Sequence, residues 1–206
     1  MTISISTFPR QFLLLISILA IPTYLSAQTN LSQIYQNGVF HYLTPQYQDC
    51  KNLVTYISKP PNTPEYSITL DIKDNKFYLT YRKFKSNYWF AVFNNRTTNS
   101  GVIKAKTDSS STEVSEAFTN QLIGYYNTKL LPDSIFSSNR PQIYDGTVYI
   151  FQDNSFSREI WETDFWNHKS YQRLIGEFDL IAKDLLNGSF SEKKYSSFFD
   201  ENIIIK

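Results

Sequence analysis

Residues 66–82 alternate between apolar and polar side chains on both sides of a turn, and this pattern constrains the fold more than any other. Asp74 and Asn75 form the turn, since both residue types tolerate left-handed backbone angles. The alternation has the period of a β-strand with one covered face and one wet face. The sequence therefore predicts an antiparallel hairpin whose apolar side chains point to one side: Tyr66, Ile68, Leu70, Ile72, Phe77, Leu79 and Tyr81.

Further strands follow along the chain. The segment Tyr88–Phe93 is apolar on both faces, so we expect it to be the most central strand. Gly101–Lys106 is predicted as the next strand, which makes Tyr66–Lys106 a meander. Two more apolar segments, Thr147–Phe151 and Phe156–Trp161, flank a turn and predict a second hairpin. Together these segments predict an antiparallel sheet of about six strands.

Two helices are predicted between and after these strands. The first runs over Glu113–Leu131, with Ser110 capping it and Glu113 completing a capping box. The second runs over Ser170–Asn187 with an apolar stripe at helical spacing, and Gly188 stands where a left-handed terminal residue belongs. The predicted class is α+β, an antiparallel sheet with two long amphipathic helices packed on one face.

The ends of the chain carry weaker patterns. Residues 28–64 predict two short helical pieces, one around Leu31 that Gly38 interrupts and one around Tyr56, before a proline-rich linker. Residues 189–206 predict a polar surface tail, in which Ile203–Ile205 adds an edge strand or binds a groove.

The first 27 residues have the layout of a secretory signal peptide. Arg10 precedes the apolar run Phe12–Ile21, Pro22 follows, and Ala27 is the small residue that a signal peptidase accepts. We therefore expect export to a bacterial periplasm or the medium, and one domain over residues 28–206. The single cysteine, Cys50, excludes an intramolecular disulfide, and no second apolar stretch predicts a membrane anchor in the mature chain.

Charge and aromatic content restrict the partners. The net charge is +1, with the two signs interspersed, which does not favour nucleic acid. Aromatic residues make up 17% of the chain. They either build the core or form a surface on which a ligand stacks.

The densest group of chemically capable side chains lies between the second hairpin and the last helix. Its rings are candidates for stacking on a sugar or an apolar partner, and its acids and histidine for hydrolysis or a divalent ion. The alternative, which we favour over metal binding, is a polar loop pinned to the core by its tryptophans. The candidate residues are Trp161, Glu162, Asp164, Phe165, Trp166 and His168.

Other catalytic arrangements find little support. Cys50 with His41 or His168 would need a thiolate, and the neighbouring Asp49 disfavours one. No Gly-x-Ser-x-Gly elbow or phosphate-binding glycine loop occurs. Acidic pairs such as Asp179 with Asp184 carry no specific spacing, and no cofactor or metal is predicted.

These observations favour an exported, non-catalytic binding or interaction protein with a protein or glycan partner in the envelope. One alternative is an envelope hydrolase that uses carboxylates near Glu162, Asp164 and His168. Another is a periplasmic inhibitor or immunity protein that blocks a lytic enzyme.

Overall fold

A computed structural model of the chain describes residues 31–44, 49–95, 103–130, 146–153, 157–162 and 169–200. Contacts divide the chain into two compact units, Met1–Gly38 with Trp89–Ile103, and Val39–Tyr88 with Lys104–Lys206. The larger unit holds the sheet. The described part of the smaller unit consists of the helical segments 31–38 and 89–95 together with Ile103.

The described residues contain six strands and five helices. The strands are β1 (Cys50–Lys59), β2 (Tyr66–Lys73), β3 (Lys76–Phe84), β4 (Thr107–Val114), β5 (Val148–Asp153) and β6 (Ser157–Trp161). The helices are α1 (31–43), α2 (Tyr88–Asn95), α3 (Glu116–Leu130), α4 (Lys169–Asn187) and α5 (Glu192–Asp200).

The strands form one antiparallel sheet in the order β4-β3-β2-β1-β5-β6. The first predicted hairpin is confirmed as β2 and β3, and Asp74 and Asn75 at its turn have φ of 51° and 58°. The second is confirmed as β5 and β6. The six-stranded antiparallel sheet of the predicted α+β class is therefore present.

One face of the sheet carries the main core, which we call the helix face. Tyr56, Ile68, Leu70 and Phe151 on the strands join Phe118 and Leu122 of α3 and Phe178 of α4 in one buried cluster. Burial of this apolar surface is the main favourable contribution to folding. The two longest described helices thus pack against the face that the alternating pattern predicted.

Helix α4 ends as predicted at a left-handed glycine. Gly188 has φ of 66°, its N–H donates to the carbonyl of Leu185, and the next N–H, of Ser189, donates to the carbonyl of Asp184. These two bonds form a Schellman motif, which satisfies carbonyls that a helix end leaves unpaired.

The opposite face of the sheet was predicted to be wet, and this prediction was wrong. Ser67, Thr69 and Asp71 on β2 are buried. Ser67 Oγ donates to the carbonyl of Leu43 at 2.5 Å, so the end of α1 covers part of this face. Alternation shows that a strand has two chemically different faces, but not whether another segment covers the polar one.

The segment around Tyr56, predicted as a short helix, forms β1 at the centre of the sheet. The residues from Val54 to Lys59 are all buried. A strand covered on both faces loses its two-residue period, so the weak helical spacing of Leu53, Tyr56 and Ile57 was misleading. Gly38 does not interrupt α1, which continues through it.

The segment predicted as the central strand is instead helix α2. A short, entirely apolar run does not distinguish a strand from a helix. Its first N–H, of Tyr88, donates to the buried carboxylate of Glu65 at 2.8 Å. A carboxylate at this position satisfies an unpaired donor and stabilises the helix N-terminus.

The strand next to β3 is β4, not the predicted Gly101–Lys106, of which only 103–106 are described and are not a strand. Ser110 and Glu113 therefore lie in a strand and do not cap a helix. Ser115 takes the capping role, since its Oγ accepts a hydrogen bond from the N–H of Phe118 at 3.1 Å. The serine-rich sequence hides β4 because an edge strand needs few apolar side chains.

The predicted polar tail contains helix α5, which is another correction. Tyr195, Phe198 and Phe199 are buried, and the ring of Phe199 contacts those of Phe118 and Tyr125 on α3. The many Ser, Lys and Glu residues around these three aromatics led to the prediction of a polar tail.

The signal-peptide prediction falls on residues 1–27, and the edge-strand prediction on 203–205, both outside the described residues. Within the part of the chain that the structure describes, no helix has the length and apolar character needed to span a membrane.

Candidate functional site

The sequence-predicted loop is described only at its start. Trp161 ends β6 and is partly buried. The carboxylate of Glu162 accepts a hydrogen bond from the N–H of Thr147 at 2.9 Å, while the N–H of Glu162 donates to the carbonyl of Thr147 at 2.8 Å. Glu162 therefore closes the end of the β5–β6 hairpin. Asp164, Phe165, Trp166 and His168 lie outside the described residues.

Cys50 and His41, the described members of the cysteine–histidine arrangement considered from the sequence, lie on β1 and α1. Cys50 is partly buried at the start of β1, and burial, followed by the charge of Asp71, raises the pKa of its thiol. A raised pKa disfavours the nucleophilic thiolate. His41 lies on α1, where its ring contacts that of Tyr42. Among the described residues, no group of three or more His, Cys, Asp or Glu side chains could hold a metal ion.

A polar cluster lies on the sheet face opposite the helix face. We call it the Asp71 site, and it consists of Asn52, Thr69, Asp71, Tyr78, Thr80 and Arg82. The antiparallel register brings these residues together, because residues directly opposite in a ladder point to the same face. Asp71 lies opposite Asn52 on one side and Tyr78 on the other, and Thr69 lies opposite Thr80.

Asp71 is the centre of this site. Its residue is 3% exposed, and Oδ2 accepts a hydrogen bond from Thr69 Oγ1 at 2.7 Å. Oδ1 is shielded from solvent and has no hydrogen-bond partner. Burial raises the pKa of Asp71 to about 6, although the Thr69 hydroxyl and the charge of Arg82 both lower it. A carboxylate that is ionised at neutral pH thus keeps one buried oxygen unpaired.

Arg82 lies beside this carboxylate without pairing with it directly. Its Nη1 donates to Thr69 Oγ1 at 3.3 Å, so the threonine hydroxyl stands between guanidinium and carboxylate. Arg82, Tyr78 and Asn52 are each partly exposed and form the rim of the site. The site therefore offers an unpaired acceptor next to a guanidinium whose fork provides several donors.

The β1 backbone is irregular where it passes the Asp71 site. The pairing of β1 with β2 shifts register between Asn52 and Val54, next to Asp71. Such a bulge re-aims side chains and increases local twist. Asn52 Nδ2 donates to Thr55 Oγ1 at 2.8 Å, which fixes the amide on this face.

A second cluster joins α4 to the helix face. The hydroxyls of Tyr56, at 3.3 Å, and Tyr66 both donate to Asp179 Oδ1. Burial raises the pKa of Asp179, while the two tyrosine bonds lower it. Burial also raises the pKa of Tyr56 well above the usual range for tyrosine, so its phenol stays protonated and able to donate. The cluster holds α4 in register over the sheet.

The smaller unit carries exposed apolar side chains, which we call the aromatic surface: Ile34, Phe90 and Phe93. Phe90 is 47% and Phe93 40% exposed, and their three-residue spacing places them on one side of α2. The rings of Tyr35 and Trp89 meet edge to face at 5.1 Å. The segments 31–38 and 89–95 contain no charged residue.

A scan against protein-family models and searches of curated proteins and of solved structures find no match to this chain.

Neither the Asp71 site nor the aromatic surface was predicted from the sequence. Asp71 was interpreted as part of a wet strand face, and Phe90 and Phe93 as part of a buried strand. A signal for the first existed in the run Ser67, Thr69 and Asp71, which becomes a site only after β1 and β3 are placed beside it. The aromatic surface could be found only once α2 was recognised as a helix.

Proposed function

We propose that this chain is an exported, non-catalytic binding protein that uses its aromatic surface to hold an apolar protein partner in the cell envelope. The exposure of Phe90 and Phe93 on one side of α2 carries the proposal. A large ring that is exposed to solvent can be buried by a partner without disturbing the core of the chain. Aromatic side chains also supply much of the binding energy at protein interfaces.

The chemistry around these rings supports an apolar partner. Because segments 31–38 and 89–95 contain no charged residue, attraction between opposite charges contributes little at this surface. Burial of apolar area would then supply most of the affinity, at roughly 25 cal/mol per Å² before the costs of association. We expect an affinity that changes little with salt concentration.

The engaged state of Glu162 supports binding over hydrolysis. Its carboxylate accepts the N–H of Thr147, a role in closing the hairpin. Asp164 and His168 stay untested members of the hydrolase alternative. An inhibitor or immunity protein is a special case of the proposal, in which the partner is a lytic enzyme.

Export is tested by fractionating the native cells and sequencing the amino terminus of the purified protein. The proposal expects the periplasmic fraction or the medium, and a chain that begins at Gln28. Recovery from the cytosol with Met1 intact would contradict the export part of the proposal and leave the binding part open.

Binding is tested by crosslinking in native cells, followed by titration of the chain with its purified partner. We expect the double variant F90S/F93S to lose about 10- to 100-fold in affinity, the range of a truncated hot spot. The matched control is L180S/L186S, which removes two exposed leucines from α4 in the larger unit. Unchanged affinity in F90S/F93S, with an unaltered circular dichroism spectrum, would overturn the assignment of the surface.

A further inference from the structure

We propose that the Asp71 site binds a neutral sugar, with Asp71 Oδ1 accepting a hydrogen bond from one hydroxyl and Arg82 donating to its neighbour. This site lies in the larger unit and is independent of the aromatic surface.

The unpaired oxygen of Asp71 is the observation that points to a ligand. Buried polar atoms nearly always have a hydrogen-bond partner, so each exception requires an explanation. Here the exception is a carboxylate oxygen, whose desolvation is costly when nothing donates to it. A ligand hydroxyl that donates to Oδ1 supplies the missing bond, and because Oδ1 is shielded from solvent it reaches this atom only when a rim side chain such as Arg82 moves aside.

The charges around the site select a neutral ligand. An anion would be repelled by the carboxylate of Asp71. An ammonium group would be repelled by Arg82 and Lys73. These three charges lie near one another, since all of them act on the thiol of Cys50. Adjacent acceptor and donor groups instead match a pair of hydroxyls on neighbouring carbons. Each hydroxyl both donates and accepts, as this pairing requires.

The rim has the parts that such a ligand needs. Tyr78 lies directly opposite Asp71 in the ladder, on the same face, and is partly exposed, so a sugar bound at Asp71 has an aromatic residue next to it on which to stack. Thr80 Oγ1 and Ser111 Oγ share a hydrogen bond of 2.9 Å further along the same face. Arg82 makes a long hydrogen bond to Thr69. When a sugar binds, the guanidinium moves aside and donates to a sugar hydroxyl instead of to Thr69.

Proton release gives the site a signature of its own. A hydroxyl that donates to Asp71 stabilises the ionised carboxylate, so the bound sugar lowers the Asp71 pKa from about 6. Sugar binding near pH 6 therefore releases a proton, and affinity falls as the pH drops below 6. The other titratable groups on this face of the described strands are Cys50 and Lys59 on β1, Lys73 on β2, Lys76, Tyr78 and Arg82 on β3, Glu113 on β4 and Glu159 on β6. Glu113 pairs with Lys76 at 2.8 Å, and Glu159 pairs with Lys59 at 3.8 Å.

Isothermal titration calorimetry of the mature chain tests the proposal with short oligosaccharides of each charge class. The neutral probes are maltotetraose, cellotetraose and chitotetraose, and the charged ones are tetragalacturonate and tetraglucosamine. The expected result is binding of at least one neutral probe, weaker binding of both charged probes, and a heat at pH 6 that varies with the ionisation enthalpy of the buffer.

Matched variants locate the binding. D71N keeps the shape of the side chain but removes the carboxylate, and we expect it to lose about tenfold or more in affinity together with the buffer-dependent heat. D108N makes the same substitution at an exposed aspartate on β4 that pairs with Lys85, and we expect parental binding. Absence of binding by all three neutral probes, tighter binding of a charged probe, or a D71N chain that binds as the parent would each overturn the proposal.

Discussion

The ring of Tyr56 on β1 stacks on the ring of Phe178 on α4, with their centroids 4.6 Å apart and their planes inclined by 14°. Both rings are fully buried, and both also contact the ring of Phe151 on β5. This contact connects the centre of the sheet to the longest described helix, so it is where we expect substitutions to affect stability most.

Replacing Phe178 with Ala should therefore destabilise the fold strongly. The lost burial and the cavity that remains together cost about 3–5 kcal/mol for a buried aromatic ring. Urea unfolding followed by circular dichroism measures the change in the free energy of unfolding. The control is Leu186→Ala on the same helix, whose side chain is 57% exposed and whose truncation should cost less than about 0.5 kcal/mol. Equal effects at the two positions would contradict the packing of α4.

We expect Asp179 to stabilise the fold because its carboxylate accepts hydrogen bonds, and not because it is charged. Asp179→Ala leaves the buried hydroxyl of Tyr56 without the acceptor it uses, which costs about 1–3 kcal/mol. Asp179→Asn keeps a carbonyl oxygen in place and removes a partly desolvated charge, so we expect a smaller loss at pH 7. The free energies of unfolding of both variants decide this, and a larger loss for Asn than for Ala would exclude the acceptor role.

Asp71 should make folding less favourable as the pH rises. Its pKa is about 6 in the folded chain against 3.8 for an ordinary aspartate, so the folded state holds the proton more tightly between these values. Stability therefore decreases as the pH rises from about 4 to 6, and the full penalty, about 3 kcal/mol as an upper bound, persists above that range.

The variant Asp71→Asn removes this titration. We expect it to be more stable than the parent by about 1–3 kcal/mol at pH 7.5, a difference that vanishes below about pH 4. Thermal unfolding from pH 4 to 8 gives the measurement, with Asp108→Asn as the matched substitution at an exposed aspartate. A parent that is more stable than D71N at pH 7.5 would mean that the carboxylate has a partner within the protein.

The sheet could be predicted from the sequence wherever its strands present two chemically different faces. Alternation over β2 and β3, with left-handed turn residues at Asp74 and Asn75, was sufficient for the first hairpin. The pattern failed at β1, which is covered on both faces, and at α2, whose apolar residues are continuous. In both segments, tertiary packing determined a structure that local periodicity leaves open.

The candidate sites were harder to predict because they depend on contacts between distant residues. Asp71 on its own reads as a solvated strand residue, and only its partners on β1 and β3 show a buried carboxylate with an unpaired oxygen. Asp179 likewise lies more than 100 residues from both tyrosines that donate to it. A single sequence carries no local signal for such pairings.

Ser115 links the N-termini of α3 and α5. Its Oγ caps α3 by accepting the N–H of Phe118, and it donates to Glu192 Oε2 at 2.6 Å, while its own N–H donates to Glu192 Oε1 at 2.7 Å. Glu192 stands in the first turn of α5, where a negative charge is favourable. Ser115→Ala removes the cap and should cost about 1 kcal/mol.

A double-mutant cycle with Glu192→Gln separates the cap from the link between the helices. If Ser115 and Glu192 act together, the sum of the stability losses in the two single variants exceeds the loss in the double variant by about 0.5 kcal/mol or more. Strictly additive losses would show that Ser115 stabilises α3 alone, and that α5 is held by Tyr195, Phe198 and Phe199 without help from this contact.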